Sequence, residues 1–272
     1  MSTWNFMNPA SRHTLLALVR REAEGMFALL ENDEAWTAPT GAGHWEARDV
    51  LCHLVDTTET YFIGFAAARG QGNPPPLVPL VDMAQHVDAG AKALRDLPRQ
   101  ELVARCRRDL ETMMATFTAL TDEEWAGLAV PHKYMGPLPA FFYPIFQLVD
   151  YAVHSWDIRE GTGKPHGLAG DSADMLVPLC YVLWSATPKA FTGTEPFQVG
   201  IRIMSGANAG DSVVSVGPTG VSIAPGSAEG LSTVIEFDPA SFVLTAYGRT
   251  NTGTIRGDVD LAYRFLAGFF RI

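Results

Sequence analysis

The 272-residue chain is rich enough in apolar residues to bury a large core, since 47% of its residues are hydrophobic and only 18% are charged. This composition excludes a disordered or fibrous chain, and the length fits two domains. The formal net charge is −10 and no run of lysines or arginines occurs, which argues against binding to nucleic acids or to anionic membrane surfaces.

The cysteines and the N-terminal segment indicate the cellular compartment in which we expect the protein. Cys52, Cys106 and Cys180 lie far apart, and their odd number argues against a disulfide framework and suits a reducing cytosol. The N-terminal segment lacks the apolar core of a signal peptide, and no stretch of about 18 apolar residues is long enough to span a membrane. We therefore expect a cytoplasmic protein without a membrane span.

Helical patterns dominate the first part of the chain. Apolar residues recur at helical spacing from Asn8-Pro9 or Ser11 to about residue 30, which predicts the first helix. Further helices are predicted over about 45–69, over about 80–119 with a break near Pro98, as a short turn after Thr121, and over about 140–160. The segment "VPHKYMGPLPA" before the last of these is predicted to be a loop.

The second part of the chain changes from helical to strand-like patterns. After one more helix over about 171–189, short β-type runs alternate with Gly, Asn and Asp turns, and "GPTG" is the clearest hairpin. Asp238 and Gly248 mark the two ends of another helix, "GTIRG" a short strand, and Asp258 the start of a final helix. The order predicts a multidomain protein: a helical bundle over 1–165 and a smaller α+β domain over 166–272.

The predicted helix near residue 150 carries unexpected polar residues within an apolar segment, "QLVDYAVHSWDIREGTG". With Asp150 at zero, His154 lies at about +40° and Asp157 at about −20° around the helix. All three therefore share one face, and a carboxylate followed by a histidine four residues later presents two side chains to one metal ion. The alternative is that these groups are buried structural residues with satisfied hydrogen bonds.

A third ligand has to come from another helix. The predicted second helix contains His53 beside its apolar face, whereas His44 lies about 180° away and is expected in the preceding loop. Two imidazoles and one carboxylate, meeting in the core of a bundle, leave a coordination position open, as catalytic metal sites do. His53 alone is also compatible with a surface position beside a polar stripe of threonines.

Three stretches give the chain a family resemblance: "GHWEARDVLCHLVDTTETYF", "GPLPAFFYPIFQLVDYAVHSWDIREGTGKP" and "DPASFVLTAYGRTNTGTIRGD". In this order they resemble the DinB-like superfamily of helical-bundle metalloproteins, and within it the mycothiol-dependent maleylpyruvate isomerase family. The resemblance covers nearly the whole chain, and "HSWD" is its most specific piece. It implies a DinB-like four-helix bundle that binds a metal, followed by a sterol-carrier-like α+β domain.

The resemblance also implies ligands and cofactors. The metal triad of the family corresponds to His53, Asp150 and His154, although the family usually carries Glu at the position of Asp150. The implied metal is a divalent ion, most simply zinc, and the implied cosubstrate is mycothiol or a related thiol. Asp157 is either an acceptor for the ring N–H of a ligand histidine or an alternative ligand; as a structural acid it would instead bond to backbone or to Arg159.

Other residues are candidates for contact with the substrate or the thiol. His132 and Tyr134 are candidate acid–base residues if they overhang the site, and otherwise belong to a solvated loop. Three residues that share the ligand face of the helix, Tyr143, Phe146 and Gln147, are candidate binding residues. The same holds for two arginines of the second domain, Arg249 and Arg256, which otherwise form surface ion pairs with Asp258 or Asp260.

The spacing supports a metal site, and the resemblance implies a metal-dependent and thiol-dependent isomerase or S-transferase that acts on a small electrophile. In this hypothesis the metal lowers the pKa of the thiol and the resulting thiolate is the nucleophile. The expected partners are the thiol and the electrophilic substrate, without nucleic acid or membrane, in a monomer or homodimer. Two alternatives stay open: a non-catalytic protein that binds a lipid or another small molecule, and a metalloenzyme that needs no thiol.

Overall fold

The computed structural model describes residues 4–163, 166–188, 191, 195–218 and 220–270. The chain forms two compact units, and the boundary between them along the sequence falls between Leu168 and Ala169. The first unit is helical, and the second is smaller and combines a sheet with helices. The predicted fold class, a four-helix bundle followed by an α+β domain, is therefore confirmed.

The first unit is built on four long helices. Helix α1 packs most extensively on α7, and α3 packs on α5. The elements of this unit are α1 (Arg12–Leu29), α2 (Asp33–Trp36), α3 (Ala47–Ala68), α4 (Met83–His86), α5 (Arg99–Ala119), α6 (Asp122–Gly127), β1 (Ala129–His132), β2 (Gly136–Pro139) and α7 (Phe142–Gly161). Most residues of α7 are buried, including the segment from Tyr151 to Ile158, so any polar group on this helix needs a partner.

The two helices that carry the candidate ligands begin with distinct local signals. At the start of α3 the backbone N–H of Glu46 donates to the carboxylate of Asp49 at 2.9 Å, a contact typical of a capping box. Helix α7 carries Pro144 in its first turn, where the missing N–H costs no helical hydrogen bond. His44 lies in the loop before α3 and is exposed, as its sequence position predicts.

The segment 80–98 is less regular than the sequence pattern predicts. Instead of one helix with a break at Pro98, it contains a 3-10 turn at Leu80–Asp82, the four-residue α4 and a second 3-10 turn at Ala91–Leu94. The long helix α5 begins only at Arg99. Gly90 interrupts the pattern and lies against the Asp56 side chain of α3, where a Cβ atom would clash.

The segment predicted as a loop before α7 is a β-hairpin. Strands β1 and β2 pair antiparallel, with His132 opposite Gly136. The hairpin escapes sequence analysis because prolines at 131, 137 and 139 lower the strand propensity of both segments. Its tight turn depends on Gly136, whose φ of +69° is in the region that favours glycine.

The second unit contains a five-stranded sheet in the order β5-β4-β3-β6-β7. Strands β3 and β6 run parallel and the other neighbours are antiparallel. The elements are α8 (Gly170–Ala186), β3 (Phe197–Ile203), β4 (Gly210–Gly217), β5 (Gly220–Pro225), β6 (Thr233–Phe237), α9 (Pro239–Ala246), β7 (Thr254–Gly257) and α10 (Val259–Leu266). Every second side chain is buried over Val199–Ile203 of β3 and at Val214 and Val216 of β4, as expected for a sheet covered by helices on one side.

The sequence signals of the second unit correspond to these elements. Asp238 caps α9 by accepting a hydrogen bond from the Ser241 N–H, and Asp258 caps α10 in the same way. The predicted "GPTG" hairpin joins β4 to β5, although Thr219 of its turn is outside the described residues. Within the ranges that the structure describes, no helix has both the length and the hydropathy needed to cross a membrane.

Candidate metal centre

Three side chains from α3 and α7 converge in the interior of the bundle. His53 projects from the second turn of α3, and Asp150 and His154 from successive turns of α7. One ligand atom of each residue lies within 4.8 Å of the others. The two imidazole rings are edge to face, with their centroids 5.3 Å apart, and both histidines are buried. The donor set of two imidazoles and one carboxylate suits a divalent transition metal such as zinc.

The Asp150 carboxylate has an unusual environment. Its Oδ2 atom is buried and has no hydrogen-bond partner among the residues that the structure describes. Burial raises the pKa of Asp150 to about 7, although the charge of nearby His154 lowers it in part. An unpaired carboxylate in this position is costly unless a cation compensates it, so the residues present fit a metal ion.

The position of the His154 ring is fixed by Asp157. The Nδ1 atom of His154 lies 2.8 Å from Oδ2 of Asp157, which is completely buried. This contact orients the ring and directs Nε2 away from Asp157, as carboxylates beside ligand histidines do in zinc sites. The backbone carbonyl of Asp157 also accepts a hydrogen bond from the Gly41 N–H at 2.8 Å. Asp157 therefore connects the ligand helix to the loop before α3.

That loop places an aromatic ring beside the two histidines. The Trp45 ring centroid lies 5.0 Å from that of His53 and 5.9 Å from that of His154. Thr40 holds the loop in place, because both its backbone N–H and its hydroxyl donate to the Trp45 carbonyl. Trp45 thus provides an apolar wall for the candidate ligands.

A pocket opens next to two of the candidate ligands. Including its open mouth, it has a volume of about 440 Å³. His53 and Asp150 line it, whereas His154 and Trp45 do not. The lining consists of residues from α3, the segment 80–98, the β1–β2 hairpin and α7: His53, Asp56, Thr57, Thr60, Tyr61, Met83, Val87, His132, Lys133, Tyr134 and Asp150. A small polar molecule in this pocket would therefore face the site from the side of His53 and Asp150.

The β1–β2 hairpin brings His132 and Tyr134 to this pocket. The backbone N–H of Tyr134 donates to Nδ1 of His132 at 3.2 Å. Burial lowers the pKa of His132 to about 4, so that the ring is neutral at neutral pH. The structure thus places both candidate acid–base residues in the pocket lining rather than in a solvated loop.

The three other candidates on α7 lie behind that lining. Tyr143 is buried and donates its hydroxyl hydrogen to the Val130 carbonyl at 2.9 Å. Phe146 packs against His132 with 5.4 Å between ring centroids. Gln147 donates to the Thr58 hydroxyl at 3.1 Å, and its Oε1 atom is buried without a partner in the described part of the chain. These residues support the pocket wall, and their contact with a substrate stays a prediction.

The two candidate arginines belong to the second unit. Arg256 is exposed and forms an ion pair with Glu236 of β6 at 3.0 Å, rather than with Asp258 or Asp260 as the alternative interpretation predicts. Arg249 donates to the Tyr247 carbonyl at 3.0 Å. Both contacts lie within that unit, so a role in binding an anionic ligand stays a prediction.

Sequence patterns do not identify several of the residues that line the pocket. Lys133, Met83 and Val87 come from segments whose structure differs from the predicted loop and helix. Asp56 and Thr57 lie on the polar side of α3, one turn after His53, and helical spacing alone places them near that ligand. Trp45, which faces the two histidines from outside the pocket, lies before the start of α3 at Ala47 although the sequence predicts it within that helix, so helical spacing does not indicate its position.

Comparisons with known proteins agree with this architecture. The family model of the mycothiol maleylpyruvate isomerase N-terminal domain matches residues 16–159. Crystal structures of a mycothiol-dependent maleylpyruvate isomerase, and of a histidine-to-alanine variant of such an isomerase, are similar in fold, each with a TM-score of 0.62 over 91% of this chain and 94% of theirs. Their sequence identities are 14% and 13% respectively. No match is found among curated proteins.

Proposed function

The chain belongs to the mycothiol maleylpyruvate isomerase N-terminal domain family, and from this premise we propose that it is a divalent-metal-dependent isomerase that uses mycothiol as cosubstrate. The observation that carries the proposal is the triad of His53, Asp150 and His154, two buried histidines and a partly buried carboxylate, whose ligand atoms lie within 4.8 Å of one another beside a pocket. The unpaired Oδ2 of Asp150 gives the triad a reason to bind a cation. We propose zinc as the ion, because its usual protein ligands are imidazoles and carboxylates.

A divalent ion supplies a positive charge that lowers the pKa of a thiol and so makes a thiolate available at neutral pH. The residues of the chain have different tasks. Asp157 keeps the His154 ring in one orientation, and Trp45 covers the two imidazoles with an apolar surface. Access from the pocket is therefore on the side of His53 and Asp150.

The pocket lining combines apolar surface with several polar side chains, which suits a small substrate with polar groups. Residues with hydroxyl groups, Thr57, Thr60, Tyr61 and Tyr134, line it together with Asp56, Lys133 and Asp150. Isomerisation of a conjugated alkene is the reaction that we propose, and transfer of the thiol to an electrophilic carbon is the alternative reaction on the same site.

The proposal is tested with the full-length chain. We expect about one zinc per chain after purification with zinc, and isomerisation of maleylpyruvate that requires both zinc and mycothiol. His53→Ala and His154→Ala should each lose most of the metal and the activity, whereas His13→Ala, at an exposed position on α1, should retain both.

Two results would contradict the proposal. A chain that takes up no zinc, cobalt or manganese would favour a non-catalytic binding protein. Activity that is unchanged when mycothiol is left out would favour a metalloenzyme that needs no thiol. Formation of a stable thioether with the electrophile, in place of the isomer, would instead identify an S-transferase.

A further inference from the structure

The hydrogen bond between Tyr134 and His132 fixes the tautomer of a pocket histidine. A backbone N–H can only donate, so Nδ1 of His132 is the acceptor in the 3.2 Å contact. In a neutral imidazole with an accepting Nδ1, the proton is on Nε2. The described residues provide no hydrogen-bond acceptor for this Nε2–H group.

The surroundings of His132 keep the ring neutral. Four aromatic side chains surround it, with ring centroids 5.4–6.1 Å from that of His132: Tyr61, Tyr134, Tyr143 and Phe146. A second proton would have to be placed on Nδ1, where it would replace the hydrogen bond from Tyr134. Burial lowers the pKa of the ring to about 4, in agreement with this geometry. His132 therefore presents a donor, and no lone pair, at Nε2.

We propose, on the premise of the isomerase function above, that His132 is a hydrogen-bond donor to the carbonyl oxygen of the conjugated substrate rather than an acid or a base. Addition of the thiolate sulfur to the alkene forms a C–S bond and breaks the C=C π bond. The electron pair moves to the carbonyl oxygen, which becomes negatively charged. The Nε2–H group of His132 stabilises this oxygen without transferring its proton.

The rest of the isomerisation needs no further proton or oxidant. The former double bond is now single and can rotate. When the electron pair returns, the C=C bond forms again, the C–S bond breaks and the thiolate leaves unchanged. A donor that is aimed at the developing oxyanion and stays in place throughout is suited to this sequence. Removal of such a donor in enzymes typically lowers kcat by about 10²–10³-fold.

The position of His132 agrees with this role. It lines the same pocket as the candidate ligands His53 and Asp150 but is not one of the ligands. The hairpin that carries it is packed on α3, because Gly64 of α3 lies directly against the Pro131 carbonyl. A donor on a strand held against the ligand helix is more rigidly placed than one on a free loop.

The first test measures the tautomer, independently of activity. Two-bond ¹⁵N–¹H correlation spectra of the full-length zinc-loaded chain are recorded between pH 6 and pH 8, and the His132 signals are identified by their absence in His132→Gln. We expect a neutral ring protonated at Nε2 throughout this range. A ring protonated at Nδ1, or an imidazolium that titrates in this range, would overturn the proposal.

The second test uses two variants in the isomerase assay with mycothiol and maleylpyruvate. His132→Phe keeps the aromatic packing and removes the donor, so kcat should fall about 10²–10³-fold with unchanged zinc content. His132→Gln keeps an N–H donor and should recover part of this loss, with the same pH profile as the unmodified protein between pH 6 and pH 8.

The outcomes separate this proposal from the function on which it rests. If His132→Phe retains kcat within about threefold, or if His132→Gln is as inactive as His132→Phe, the donor role is refuted. A changed pH profile in His132→Gln would indicate an acid or base and would refute it as well. If the unmodified protein shows no isomerase activity, the proposed function fails, and the assignment of the tautomer is still decided by the spectra.

Discussion

Replacing Asp150 with asparagine should stabilise the metal-free protein and greatly reduce its stabilisation by zinc. The substitution keeps the shape of the side chain and removes its ability to ionise. In the metal-free protein, Oδ2 of Asp150 is buried without a hydrogen-bond partner in the described ranges, and burial raises the pKa to about 7 from 3.8. The ionised carboxylate therefore opposes folding until a cation binds.

The size of the effect follows from the linkage between protonation and folding. The folded state holds the Asp150 proton up to about pH 7, whereas the unfolded state releases it near pH 3.8. The contribution of the protonated Asp150 side chain to the stability of the folded state is thus lost as the pH rises from about 4 to 7. We compare the free energy of unfolding of Asp150→Asn with that of the unmodified protein. At about 1.4 kcal/mol per pH unit, this difference should shift by about 2–3 kcal/mol in favour of the variant when the pH is raised from 5 to 8.

Urea unfolding in the presence of a chelator, at pH 5 and at pH 8, measures this change. Asp96→Asn is the matched control, because Asp96 is exposed, and its effect should be the same at both pH values. With zinc at 100 times the dissociation constant, the unmodified protein should gain about 2.7 kcal/mol and Asp150→Asn much less. An effect of Asp150→Asn that does not depend on pH would refute the reasoning about the buried carboxylate.

Two further predictions concern the surroundings of the triad. Asp157→Asn should weaken zinc affinity by about 10- to 100-fold, as is typical when the partner of a ligand histidine is changed. Competition with a chromophoric chelator measures this affinity. An unchanged affinity would mean that the 2.8 Å contact with His154 does not orient the ligand. The fluorescence of Trp45 should report metal binding at the triad, since its ring lies 5.0 Å from that of His53. Co²⁺ should quench a component of the tryptophan fluorescence that is missing in Trp45→Phe. Equal quenching in both proteins would place the ion elsewhere.

The candidate site is predicted from the sequence where it depends on a regular helix. Helical geometry alone puts Asp150, His154 and Asp157 on one face of α7, and the structure brings them together in that way. His53 is a different case, because nothing within α3 indicates which helix it faces. Helical phase favours His53 over His44 as a candidate, but its assignment to the same site as Asp150 and His154 comes from the family resemblance, since the packing of α3 beside α7 is a tertiary property.

The pocket is not predicted, because irregular segments form much of it. Apolar residues over 80–98 follow a helical pattern, yet the segment folds into short turns that place Met83 and Val87 in the wall. The prolines of the β1–β2 hairpin lower the strand propensity of two segments that nevertheless pair antiparallel with each other. Local propensity cannot anticipate either arrangement, because both are determined by contacts with α3.

Two glycines show how those contacts arise. In an exposed helix a glycine lowers stability by about 1 kcal/mol relative to alanine, so Gly64, near the C-terminal end of α3, is an unfavourable residue for the helix when the sequence is considered alone. In the structure a Cβ atom at Gly64 would lie 2.5 Å from the Pro131 carbonyl oxygen. Gly90, in the irregular segment 80–98, leaves room in the same way for the Asp56 side chain of α3. Gly64 allows the hairpin to approach the main chain of α3, and Gly90 allows the segment 80–98 to approach its polar side. The glycine that lowers the helix propensity of α3 is therefore also the residue that lets the hairpin with His132 pack on this helix.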